Sequence, residues 1–139
     1  MRKIKIFSLV LAMMLLVGQA ALAAPTTGDM QIFITATCYD YNHVGNDWVE
    51  YYELNGYQLL DGDMITLTRG DKLNLYSQIT ETDILSDDVG WTEDDYDVTA
   101  KMIREGFTID QYLTVEEDSG IYSGYWCEWY ITFEFVPVA

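Results

Sequence analysis

From Met30 onwards, apolar residues recur every second position rather than every third or fourth. In "MQIFITATCYD", Ile32, Ile34, Ala36 and Cys38 fall on one face of an extended strand, and Phe33, Thr35 and Thr37 on the other. "ITLTRGDKLNLYSQI" places Ile65 and Leu67, then Leu73, Leu75 and Ile79, on inward positions, with Arg69-Gly70-Asp71 as turn chemistry between them. "YLTVEE" offers Leu113 and Val115 inward, and "CEWYITFEF" offers Cys127, Trp129, Ile131, Phe133 and Phe135. Turn signals recur at Asn55-Gly56, Asp61-Gly62, Gly70-Asp71 and Ser119-Gly120. About seven short strands with frequent turns predict an all-β, antiparallel β-sandwich.

Two segments do not follow this pattern. "DWVEYYEL" carries aromatic residues on both faces, so alternation does not assign its inner side. "DVTAKMIREG" fits a strand with Val98, Ala100 and Met102 inward, or a short helix from Asp97 ended by Gly106. The strand is favoured because its neighbours are strands.

The first residues predict an export signal rather than part of the fold. Arg2, Lys3 and Lys5 precede an apolar run, Ile6 to Val17, and Ala21-Leu22-Ala23 supplies the small residues of a cleavage site. Residues 1–23 are therefore expected to be removed, leaving residues 24–139 as a single sandwich domain. The expected location is secreted or extracytoplasmic. The apolar run is short for a span, and no second such run follows, so no membrane insertion is expected once the signal is gone.

Charge narrows the partners. The chain carries 23 acidic residues against seven basic ones, a net charge of −16. Cleavage would leave only Arg69, Lys72, Lys101 and Arg104 against the same 23 acids, a net charge of −19. Such a field repels phosphate backbones and anionic lipid surfaces and attracts cations or basic partners. Eleven Tyr and four Trp argue for a packed domain despite the charge.

An exported chain with two cysteines invites a single disulfide. Cys38 and Cys127 both take inward positions, on the first and last strands. The alternative is two buried free thiols acting as small hydrophobes. A redox pair is not indicated, since the chain has no Cys-x-x-Cys motif.

"DSGIY", residues 118–122, resembles the approach to the penultimate strand of immunoglobulin-like domains. Cys38, Trp48 and Cys127 are similar to that family's Cys…Trp…Cys order. The resemblance implies an immunoglobulin-like β-sandwich over roughly residues 30–137. The spacing departs at one place: Tyr122 lies five residues before Cys127 instead of two, and position 124 is Gly. "DSGIYSG" is therefore expected to turn between the "YLTVEE" strand and the final strand, giving a similar build with different wiring.

Catalytic chemistry has few candidates. His43 is the only histidine, set in the loop-like "YDYNHVGND" without a nucleophile motif to serve. Zinc is not expected from one His and two bonded Cys. Calcium is the best metal candidate, with Asp87, Asp88, Glu93, Asp94, Asp95 and Asp97 in an acid-rich segment taken as a loop. Asp83 and Glu81 extend that segment, and Asp40, Asn42, Asn46 and Asp47 form a weaker Asx-rich one. Neither follows the EF-hand spacing.

Aromatic residues beside acids point to sugar recognition, with Trp91 and Tyr96 as the ligand-binding candidates. Trp48, Tyr51 and Tyr52 are the other rings outside the clean inward sets. The resulting expectation is a secreted, non-catalytic binding or structural module for an extracellular glycan or protein. The rival is a small secreted hydrolase using paired carboxylates, with or without calcium, which requires a concave pocket around two of them. A third expectation is assembly through a free strand edge, with Trp126 to Val136 as the interface if that strand is unpaired.

Overall fold

The computed structural model describes residues 24, 26–42, 45, 47–82, 86–118 and 123–138. The expected export signal (1–23), His43, Asn46, Asp83, Ser119-Gly120 and Tyr122 lie outside them.

Strands β1 (Thr27–Asn42), β4 (Met64–Thr68), β7 (Phe107–Glu116) and β8 (Trp126–Pro137) form sheet A, in the order β4-β1-β8-β7. Strands β2 (Trp48–Leu54), β3 (Tyr57–Gln58), β5 (Lys72–Glu81) and β6 (Asp88–Asp97) form sheet B, in the order β3-β2-β5-β6. Every pairing is antiparallel. The two sheets face one another as an all-β sandwich.

Alternation sets which side chains meet between them. Ile32, Leu67, Leu73, Leu75, Ile79, Leu113, Val115, Trp129, Ile131, Phe133 and Phe135 are buried, as their parity requires, and Ile34, Ala36 and Ile65 pack half-buried at its margin. In β2 the inner positions are the even ones: Tyr52 and Leu54 are buried, and Trp48 packs against the core. Ring contacts cross the sandwich edge-on, Trp48 on Trp129 at 5.2 Å and Tyr52 on Phe133 at 5.3 Å between centroids.

Cys38 and Cys127 form the expected disulfide, with 6.1 Å between their Cα atoms and a sequence separation of 89. It joins β1 and β8, which are neighbours in one sheet. Their register shifts between Cys38 and Asp40, so Cys38 pairs with Trp129 while Tyr41 pairs with Cys127. The two cysteines are therefore not opposed in the ladder, and the bridge runs diagonally between them beside the β-bulge at Tyr39.

Among the described residues, turns fall at Asn55-Gly56, Asp61-Gly62 and Gly70-Asp71, as the sequence predicts. Asn55 (φ 52°) and Gly56 (φ 78°) both adopt the left-handed conformation that a tight β2–β3 hairpin demands. Asp71 Oδ2 accepts from the Thr68 amide at 2.8 Å, which makes Arg69-Gly70-Asp71 the β4–β5 turn. The β7–β8 connection is closed by a bond from the Glu117 amide to the Tyr125 carbonyl at 2.8 Å.

Three expectations are corrected. Residues Ala100–Glu105 form helix α1, not a strand. Thr99 Oγ1 accepts from the Met102 amide at 3.2 Å, and the Gly106 amide bonds the Met102 carbonyl at 2.9 Å. Local capping at both ends of a run of good helix formers outweighs the coincidental alternation of Val98, Ala100 and Met102. The acid-rich segment is not a loop but strand β6, paired with β5 from Lys72↔Asp97 to Glu81↔Asp88. Finally, Trp126 to Val136 is not an open edge, since β8 is hydrogen-bonded to β1 on one side and β7 on the other.

Candidate ligand-binding site

The outer face of sheet B follows from parity and register. On β5 the odd residues are buried, so Asn74, Tyr76, Gln78 and Thr80 point outwards. Register places Tyr51 and Trp91 on either side of Gln78, and Glu53 and Glu93 on either side of Tyr76. Val49, Thr80 and Val89 form the next row, and Asn74 with Asp95 the row on the opposite side. The face is therefore a lattice of rings alternating with carboxylates and amides.

Its side chains hold one another. The Tyr76 and Trp91 rings stack with 6.2 Å between centroids and 24° between planes. The Tyr76 hydroxyl donates to Gln78 Oε1 at 2.8 Å, and Gln78 Nε2 donates to Thr80 Oγ1 at 3.3 Å. The Tyr51 hydroxyl donates to Glu53 Oε1 at 2.6 Å. Asn74 Nδ2 donates to Glu93 Oε1 at 2.7 Å and to Asp95 Oδ1 at 3.0 Å. Trp91 leaves 62% of its surface in solvent, so one ring face is open.

The phenols stay neutral well into alkaline conditions. Tyr51 is pushed up first by its hydrogen bond to Glu53 and then by desolvation. Tyr76 is pushed up by burial and by the charges of Glu53 and Glu93. The face thus presents neutral hydroxyls, amides and carboxylate acceptors around exposed aromatic surface, the combination that suits a polyhydroxylated ligand with an apolar face.

The two sequence-predicted ring residues do not come together. Trp91 lies on the outer face, but Tyr96, five residues on along the same strand, points inwards and packs half-buried against the core. An odd separation along one strand imposes that split. Trp48 and Tyr52 also point inwards, which leaves Tyr51 as the second ring from that group on the outer face.

The calcium candidates are divided likewise. Glu93, Asp95 and Asp97 share the outer face with Trp91, while Asp88 is buried on the inner one. Asp94 accepts from Gln111 Nε2 at 3.0 Å, and Asp97 pairs with Lys72 Nζ at 3.0 Å. Asp87 lies before the strand begins. Among the described residues, no group of three or more His, Cys, Asp or Glu is arranged to hold a metal ion.

A cleft of about 350 Å³ opens elsewhere, between β3 and β4, lined by Leu54, Leu59, Leu67, Leu73, Asp63 and Asp71. Both carboxylates there serve local structure: Asp63 accepts from the Leu60 amide and Asp71 from the Thr68 amide, each at 2.8 Å. No helix among the described residues is long and apolar enough to cross a membrane.

Sequence reasoning missed Asn74, Glu53, Tyr76 and Gln78 as members of the face. The signal was present in "KLNLYSQITE", whose even positions interleave amides with a ring while Leu73, Leu75 and Ile79 take the odd ones. No family model matches the chain, and no match is found among curated proteins or solved structures.

Proposed function

We propose that the protein is an exported, non-catalytic binding module with an immunoglobulin-like layer architecture, and that it binds carbohydrate on the outer face of sheet B. The observation that carries this reading is the exposed Trp91 ring stacked on Tyr76 and flanked in register by Gln78, Glu93 and Tyr51. Pyranose rings have an apolar face of C–H groups that gains dispersion contact and sheds water on an aromatic surface. Their hydroxyls both donate and accept, which matches the carboxylates and amides beside the rings.

The location of the rings on paired strands supports the reading further. A platform anchored by a hydrogen-bonded ladder loses little conformational freedom when a ligand docks. A flat, open face favours a chain of sugars over a single enclosed one. The test is a glycan array screened with the wild-type protein and with Trp91→Ala. The expected result is binding to one class of polysaccharide or oligosaccharide that Trp91→Ala weakens by on the order of tenfold. Retained binding in Trp91→Ala would place the ligand elsewhere.

A further inference from the structure

The opposite face of the sandwich carries a second aromatic cluster with different chemistry. Strands β1, β4, β7 and β8 contain no Lys, Arg or His, but they carry Asp29, Asp40, Asp110, Glu116, Glu128 and Glu134. Arg69, Lys72, Lys101 and Arg104 lie instead in the β4–β5 turn, at the start of β5 and on α1.

Three tyrosines meet on the outer side of sheet A. Tyr112 on β7 pairs in register with Tyr130 on β8, their rings 5.0 Å apart. Tyr39, the unpaired residue at the bulge in β1, shares the outward parity of Phe33, Thr35 and Thr37 and meets Tyr112 edge-on at 6.5 Å. The Tyr39 hydroxyl donates to Glu128 Oε2 at 2.7 Å, and Thr132 Oγ1 donates to Asp110 Oδ1 at 3.0 Å. Tyr112 and Tyr39 are exposed, at 62% and 53%.

We infer that this cluster is a docking surface for the Lys or Arg side chains of a basic protein partner. Among the described residues, the charged side chains bonded at this cluster are acceptors, Glu128 and Asp110, and Tyr39 and Thr132 direct their hydroxyl protons to them. The four strands that build this face bring no cation of their own to it. An ammonium or guanidinium group placed over a tyrosine ring is drawn by the ring's quadrupole, and a neighbouring carboxylate adds a charge-assisted hydrogen bond. The one-signed field of sheet A would concentrate a basic partner on this face. The sheet B platform differs, because Asn74 and Gln78 supply amide donors there and its stacked rings lie nearly parallel.

The experiment titrates the protein with tetra-arginine amide and follows backbone amide shifts by NMR. The expected result is saturable binding, centred on Tyr39, Tyr112, Glu128 and Tyr130, that weakens as salt rises. Tyr112→Leu, which keeps apolar area but removes the π face, should lower affinity by about 3- to 10-fold. Glu128→Gln should lower it similarly, whereas Glu53→Gln/Glu93→Gln on the other sheet should leave it nearly unchanged. If Tyr112→Leu misfolds, the wild-type shift map carries the test alone. Equal losses from the sheet B double variant, shifts spread over both faces, or equal binding of a tetra-citrulline peptide would overturn the inference and leave only bulk charge attraction.

Discussion

The Ser77 hydroxyl donates a 2.6 Å hydrogen bond to Oε1 of Gln111, between two buried side chains on opposite sheets. Gln111 Nε2 completes the network by donating to the Leu75 carbonyl and to Asp94 Oδ2, each at 3.0 Å. Nearby, Gly90 allows β6 to approach the Thr114 carbonyl of β7 so closely that a Cβ at that position would collide with it. One polar clamp and one missing side chain thus fix β6 against β7, and with them the placement of Trp91.

Breaking the clamp on one side strands the other partner. Gln111→Leu should destabilise the fold by about 1–3 kcal/mol, because the buried Ser77 hydroxyl loses its acceptor and Asp94 its donor. Ser77→Ala should cost less, about 1 kcal/mol, since Gln111 keeps its two donor bonds. Chemical denaturation of both variants and of the double variant checks this. The double variant should be less destabilised than the sum of the singles, as expected for residues that share one network.

The disulfide should be the largest single covalent contribution to stability. Closing a loop of 89 residues restricts the unfolded chain by about 4–5 kcal/mol on the chain-entropy argument. Cys38→Ala/Cys127→Ala, or reduction of the wild-type protein, should lower the urea midpoint accordingly with the strand content retained at low denaturant. An unchanged midpoint after complete reduction would show that the bridge adds nothing.

Alkaline pH should unfold the protein through its phenols. Tyr52 is raised far above the usual phenol value, first by burial and then by its hydrogen bond to Glu50. Tyr39 moves the same way, chiefly through its hydrogen bond to Glu128. A phenol whose folded pKa exceeds its unfolded value of about 10 contributes stability that is fully present below that pH. That contribution drains away as pH rises from about 10 through the folded value. Near-ultraviolet absorbance should therefore show a tyrosine fraction that ionises together with unfolding, and Tyr52→Phe should move the unfolding transition to higher pH.

The strands that build the core were legible because each exposes one face to oil and one to water. The pairing of Cys38 and Cys127 was legible from an even cysteine count in a chain with an export-like start, supported by the inward parity of both. Parity by itself also fits two buried thiols. The helix was not legible by the same means, because Val98, Ala100 and Met102 satisfy a strand period while Thr99 and Gly106 cap a helix around them. The binding face was half legible. Trp91 and Tyr96 both stand outside the clean inward-facing sets of the sequence and beside acids, which does not tell their two sides apart. Once that stretch is a strand, a five-residue separation sends the two rings to opposite sides. The partners on β5 and β2 depend on register between strands distant in sequence, which periodicity within one segment does not encode.

The platform on sheet B can be tested most directly through the indole N–H resonances of the four tryptophans. Only Trp91 offers an open ring on that face, whereas Trp48 and Trp129 pack against one another inside the sandwich. Titration with soluble oligosaccharides from the class selected on the array should shift the Trp91 signal, saturate, and leave those of Trp48 and Trp129 in place. A Trp91 signal that stays fixed while a glycan binds, or an absence of shifts across the whole panel, would contradict carbohydrate recognition by this face.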